Sequence, residues 1–189
     1  MITHAPFAFV GGDLVVDLAN TVKMVNHQLT DLLTTPDQLR RWTQRAGISI
    51  PLQDEDFART VQIRNAVRDF LQEYAQLHQS SHQTIQTLNA VLEDLAIRPE
   101  IIMTAFGQPS LHLTATQTSS PWIDHLIQKT VNLVSDSATL NRLKRCKNPQ
   151  CVLVFIDRSK NHNRRWCDMN TCGNRLKASR HYQRHHAIG

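Results

Sequence analysis

Apolar positions along this chain recur mostly at helical spacing, with one short interruption of alternating character. Thr35-Pro36-Asp37-Gln38 predicts a helix start, with Thr35 at the N-cap, Pro36 at the first helical position and Gln38 closing a capping box. Leu39 and Trp42 fall on one face of this helix, and Gly47 ends it. The longest predicted helix runs from about Asp54 to His78. Phe57, Val61, Arg64, Val67, Phe70 or Leu71, Tyr74 and Leu77 form its stripe. Arg64 lies on that stripe, so it either pairs with an acid on a neighbouring element or snorkels out. Ser80 or Ser81 caps a further helix that turns Ile85, Leu88, Val91, Leu92 and Leu95 inward. Pro121 opens another, to about Ser135, carrying Ile123, Leu126, Ile127, Val131 and Val134.

The alternating stretch is Ser110 to Thr116, where Leu111, Leu113 and Ala115 alternate with His112 and Thr114. With Ile101 to Phe106 and the intervening Gly107-Gln108-Pro109 it predicts a β-hairpin, after a break at Arg98-Pro99. Residues 7–16 predict a short strand, a turn at Gly11-Gly12 and a second apolar run. Asp17 to Met24 is expected to be helical, with Leu14, Leu18, Val22 and Val25 near one face. Asn20 and Thr21 fall in this apolar stretch, and a buried Asn needs hydrogen-bond partners, expected from nearby backbone. A sharper alternative makes Asp17, Asn20, Thr21 and His27 the polar lining of a ligand pocket. The fold class is α+β: a mostly helical N-terminal domain with small β-hairpins over residues 1–138, and a small second module over residues 139–189. The boundary is expected within Asp136 to Asn141.

The four cysteines change this picture. Cys146 and Cys151 form one Cys-x4-Cys pair, Cys167 and Cys172 a second, with fifteen residues between the pairs. Two matched pairs at this spacing predict a four-thiolate structural zinc site with no open position for substrate. Iron also accepts four thiolates. Two disulfides would suit a secreted chain, but the opening MITHAPFAFVGG has neither a basic n-region nor a sustained apolar run, and no stretch reaches transmembrane length. The expected setting is the cytoplasm. Between the pairs, Val152 to Ile156 predicts a strand, Asp157 to Asn163 a turn, and Arg164 to Trp166 the returning strand of a hairpin. A helix after Cys172 would carry the last ligands in its first turn. The shape expected is a treble-clef-like finger.

At Cys172-Gly173-Asn174-Arg175 the chain resembles the CGNR zinc-finger proteins. Phe155-x-Asp157-x-Ser159, Arg164-Arg165-Trp166-Cys167 and the basic residues after the tetrad resemble that family too. Such proteins are described as candidate stress-induced transcription regulators. They carry an N-terminal α/β domain called ABATE, to which this chain is similar at Gly11-Gly12, at Asp17-Leu18-Ala19-Asn20-Thr21 and around Trp42. The resemblance implies a zinc-dependent regulator with the four cysteines as ligands.

Charge supports a polyanion as partner. Net charge is +5, but residues 142–189 hold twelve basic and two acidic residues, whereas residues 1–141 sum to −5. So basic a small module is an electrostatic footprint for nucleic acid. Arg175, Lys177, Arg180, His181 and Arg184 are the expected contacts from the final helix, where positions 177, 180, 181 and 184 share a face. Arg164 and Arg165 add from the hairpin, and Asn174 from the tetrad. None of the ten histidines forms an H-x-x-x-H pair with a carboxylate, as a hydrolytic zinc site would, no glycine-rich phosphate loop is present, and no serine has a nucleophile-elbow context, so an enzyme is not expected. The reading is a zinc finger that binds duplex DNA, joined to a domain that senses a small-molecule effector or forms a homodimer. Two alternatives stand beside it: RNA or ribosome binding, with Trp166 and Tyr182 as stacking candidates, and a small-molecule-binding protein with a protein-docking finger.

Overall fold

The structure is a computed structural model and describes residues 7–92, 96–105, 107–116, 120–175 and 177. Its elements in chain order are α1 (Leu14–Ala19), β1 (Val22–Val25), β2 (Gln28–Asp31), α2 (Pro36–Arg45), α3 (Asp56–Leu77), α4 (His82–Leu92), β3 (Ala96–Met103), β4 (Pro109–Thr116), α5 (Pro121–Ser135), α6 (Ser137–Leu140), β5 (Leu143–Arg145) and β6 (Val154–Ile156). A single π-type helical turn, Met169–Gly173, follows. The strands form three separate antiparallel pairs, β1 with β2, β3 with β4 and β5 with β6.

The helical predictions hold where local chemistry is strong. Thr35 caps α2, with both halves of the capping box present, and Gly47 follows its end at φ +72°. In α3 the inward residues are Ile63, Ala66, Val67, Phe70 and Leu71, and the helix ends at His78 in the left-handed region. Trp42 and Trp122 are fully buried and meet edge to face at 6.4 Å, with the Trp122 indole donating to Thr60 Oγ1 at 2.7 Å. Arg64 takes the paired option: its guanidinium makes a two-pronged bond to Asp31 at 2.6 and 2.7 Å, tying α3 to β2. Its side chain is 1% exposed, so removing Asp31 would strand a buried charge.

Residues 7–10 form no strand, the apolar run Leu14–Val16 opens α1, and Leu77 of the expected α3 stripe is 52% exposed; three further expectations change. The stretch Asp17 to Met24 is not one helix: α1 ends at Ala19, and Val22–Val25 enters a hairpin through Asn26 and His27 at φ 48° and 65°. Two consecutive left-handed residues match the twist of a two-residue hairpin, and β-branched Val22 and Val25 suit a strand. Second, β3 begins at Ala96 and runs through Pro99, which pairs opposite Leu113. A two-stranded hairpin leaves an open edge on each strand, where a residue without an N–H is tolerated. The hairpin side chains at 96–99 and 111–116, and Leu95 and Phe106, lie outside the described residues. Third, β6 pairs with β5, not with Arg164 to Trp166. The first cysteine pair therefore sits at the tip of the β5–β6 hairpin, and residues 164–166 form no strand, with Arg165 O accepting from Lys147 N–H at 2.9 Å.

The β5–β6 sheet is a wall shared by two cores. Leu143, Val154 and Ile156 pack into the large core with Val15, Leu71 and Trp122. Leu153 and Phe155, alternating with them along β6, belong to a small cluster with Cys146, Cys167 and Cys172. Period-two alternation thus points one face of β6 at the helices and the other at the cysteines. Packing crosses the expected 138/139 boundary at this wall. Ile156 N–H donates to Gly11 O at 2.8 Å, and Gln72 donates to Val152 O at 2.5 Å.

Candidate metal centre and basic surface

Cys146 directly follows β5, and its N–H donates to Leu153 O at 2.9 Å, closing the hairpin tip. Cys151 N–H donates to Asn148 O at 2.9 Å. Cys167 and Cys172 flank Asp168, whose Oδ1 accepts from Thr171 N–H at 2.8 Å and caps the turn that carries Cys172. Gly173 is buried against the Met169 and Trp166 side chains. A β-carbon on Gly173 would stand 2.5 Å from the Met169 sulfur and 3.1 Å from Trp166.

These turns bring all four sulfurs within 4.8 Å of one another. Cys151 and Cys167 are 3.8 Å apart, Cys167 and Cys172 3.5 Å. Four thiolates at ~2.3 Å from a tetrahedral metal stand about 3.8 Å apart, so the donor set fits. Among the described residues this is the one grouping of metal-ligating side chains. The electrostatics point the same way. The Cys146 thiol is drawn down to about 2, first because the Cys151 and Cys167 thiols donate to it, with backbone N–H groups of Cys167 and Asn148 adding. Cys151 is pushed up to about 12, chiefly by that same contact, and Cys167 is pushed up as well. A cation among the sulfurs would oppose the upward pressure on Cys151 and Cys167. Three of the four cysteines are buried, leaving the cluster closed and structural.

The loop after β6 is held by one carboxylate. Asp157 is fully buried and accepts from Lys144 at 2.7 Å, from the N–H and hydroxyl of Ser159 at 3.0 and 2.5 Å, and from Arg164 N–H at 2.9 Å. Burial pushes its carboxyl up, but the bonds from Lys144, Ser159 and Arg164 together outweigh it and hold it below the ordinary range. Arg164 is a brace. Its guanidinium donates to Trp166 O and Val10 O, each at 3.0 Å, and to Cys167 O, and it covers the Phe155 ring at 4.3 Å. Arg164, expected to contact nucleic acid, is thus engaged within the finger, while Arg175 is exposed.

The predicted pocket residues are not brought together. Asp17 Oδ1 accepts from Gly11 N–H at 2.7 Å, and a β-carbon on Gly11 would meet Val16 at 2.6 Å. Burial raises the Asp17 carboxyl to about 6 despite that bond. Asn20 is buried and exchanges two hydrogen bonds with Val154 of β6, at 2.9 and 3.1 Å. Its partner is not the nearby backbone but a strand 134 residues on. Thr21 donates to Leu18 O at 2.6 Å and accepts from Arg64 at 3.3 Å. His27 lies apart, exposed in the β1–β2 turn, beside a polar cleft of about 370 Å³ that it shares with Lys23, Gln150 and Arg175.

Of the expected nucleic-acid contacts, Arg165, Asn174, Arg175 and Lys177 are exposed. Arg180, His181 and Arg184, with Tyr182, lie outside the described residues. Sequence reasoning missed Arg145 and Lys147, both exposed beside the first cysteine pair. Their signal was only their place in the basic run.

Two family models match the chain: one described as "Putative stress-induced transcription regulator", named ABATE, over residues 12–140, and one described as "CGNR zinc finger" over residues 142–185. No curated protein matches it. Among the described residues, no helix is long and apolar enough to cross a membrane.

Proposed function

The chain belongs to the ABATE family, and on that footing we propose that it is a zinc-dependent transcription regulator whose finger binds duplex DNA. The observation that carries this is the direction of charge on the finger. Its two acids turn to internal tasks, Asp157 buried under the loop and Asp168 capping a turn. Arg145, Lys147, Arg158, Lys160, Arg165, Arg175 and Lys177 face solvent. A rod of evenly spaced phosphates suits a surface of one sign. Zinc, held by Cys146, Cys151, Cys167 and Cys172, supplies rigidity and no reaction.

The test compares duplex DNA, structured RNA and heparin at matched salt in the reduced cytoplasmic-type buffer the thiols require. If about five phosphates are neutralised, log affinity falls against log salt with a slope of roughly −4 to −5. Replacing Arg175 and Lys177 together by Gln makes that slope shallower by about two units. Preference for structured RNA replaces DNA with RNA as the target, and equal affinity for all three sinks specific recognition.

For the helical part, the internal hydrogen bonds of Asp17, Asn20 and Thr21 argue against effector capture at those residues. Ile101 and Met103, on one side of β3 and each 71% exposed, favour self-association instead. Sedimentation of the Ile101→Asp, Met103→Asp protein tests this: a dimer that persists unchanged removes the hairpin from the interface.

A further inference from the structure

Between the end of α3 and the finger lies a cleft of about 590 Å³. His78 enters it from the helix end, Arg145 and Lys147 from β5 and the knuckle, and His162, Asn163 and Arg165 from the loops beyond. Among the described residues no carboxylate lines it; its wall does include the buried Cys146 of the four-sulfur cluster, and Lys144, which is engaged by buried Asp157. The Arg145 guanidinium is placed 3.5 Å from Gln76 Oε1, and the Arg165 guanidinium lies 5.6 Å over the Trp166 ring. Such neighbours orient a guanidinium without cancelling its charge. The negative end of the α3 dipole opposes this with roughly half a charge, and the buried Cys146 sulfur adds its share of the cluster's negative charge, but it lies behind the exposed Arg145, Lys147 and Arg165. Asn163, His78 and His162 add N–H donors suited to phosphate oxygens.

We propose that this cleft binds phosphate groups, presented either by a nucleic-acid backbone or by a free phosphorylated small molecule. In the first form the proposal rests on the DNA-binding reading; in the second it does not. The volume is within the range of small-ligand sites. The knuckle and α3 each supply part of the wall, so an occupant contacts both the finger and the helical part.

The experiment titrates inorganic pyrophosphate, without added metal, into the full zinc-loaded chain by calorimetry, and follows amide shifts in parallel. Zinc is measured before and after. Arg145→Gln with Lys147→Gln is compared with Arg158→Gln with Lys160→Gln, which removes equal exposed charge elsewhere on the finger. The proposal expects saturable binding, about tenfold weaker in the first double variant and little changed in the second. Amide shifts in the unsubstituted chain should cluster at residues 76–78, 144–147 and 162–165, a readout independent of variant folding. Duplex DNA then separates the sources. Displacement of DNA by pyrophosphate, with DNA binding weakened most in the first variant, assigns the cleft to backbone phosphate. Pyrophosphate binding lost with DNA binding intact assigns it to a free ligand. Pyrophosphate binding at the cleft with no DNA binding by any protein defeats the DNA reading and leaves the cleft standing. Equal loss in both variants, or shifts spread evenly over the finger, overturns the cleft.

Discussion

The helical part and the finger are held together by different means. In the helical part Trp42, Ile63, Leu71, Trp122 and Leu126 are sealed from water, and apolar burial with aromatic contact dominates. The finger has five buried residues around its centre, and three are cysteines. So small a cluster cannot offset the entropy of ordering its own loops, and the metal and the Asp157 bonds must supply the difference. Yet the two regions share a sheet: Val154 and Ile156 serve the large core, Leu153 and Phe155 the small one. The finger is therefore stabilised differently from the helical part without being independent of it.

The strongest way to break that comparison is to remove the metal. Structural zinc in small modules carries apparent free energies of ~10–16 kcal/mol. Cys146→Ser, or exhaustive chelation, is expected to abolish stoichiometric zinc and DNA binding together. Because β5 and β6 belong to both cores, the near-ultraviolet signal of buried Trp42 and Trp122 should change as well. An unchanged tryptophan signal would restore the simpler expectation of an independently folding finger.

The two faces of β6 offer a sharper cut. Phe155→Ala is expected to cost about 3–5 kcal/mol and to loosen zinc before it disturbs the helices, measured as faster release to a chelator. Ile156→Ala, from the opposite face, should cost about 2–5 kcal/mol and lower the melting temperature of the whole chain. If both variants affect zinc release alike, the sheet does not divide its faces between the cores. Asn20→Ala removes both bonds to Val154 and leaves buried backbone groups unpaired, each worth about 1–3 kcal/mol. Lower stability with zinc affinity reduced in parallel would mark Asn20 as the clasp between regions, and a loss of stability alone would confine it to α1.

The smallest expected effects are opposite in sign. Asp157, in the finger, has its carboxyl held low, so its stabilisation is present above the unfolded value and is lost as pH falls below about 4. Asp17, in the helical part, is raised to about 6, so the native state binds the proton more tightly and stability declines as pH rises from about 4 to 6. Melting curves of Asp157→Asn should lose the first dependence and those of Asp17→Asn the second. Retention of both slopes in both variants would detach them from these carboxylates.

How much of this was legible in the chain depends on how local the cause is. The α2 cap, the α3 stripe with Arg64 upon it, the two cysteine pairs and the charge asymmetry are each written within one or two turns of chain, or as plain counts. From such local signals the longer helices, the grouping of the four cysteines and the sign of the finger's charge could be read. The start of the chain misled because Leu14, Leu18, Val22 and Val25 keep helical spacing although the helix stops at Ala19. The spacing of four residues cannot distinguish one helix from a short helix followed by a strand. Only tertiary structure decided that β6 pairs with β5, that Asn20 clasps a strand 134 residues away, and that Arg164 braces carbonyls while Arg165 and Arg175 face water. A guanidinium is chemically the same in either role, and a side-chain bond to distant backbone leaves no periodic mark. Such contacts exist only once the chain has closed on itself.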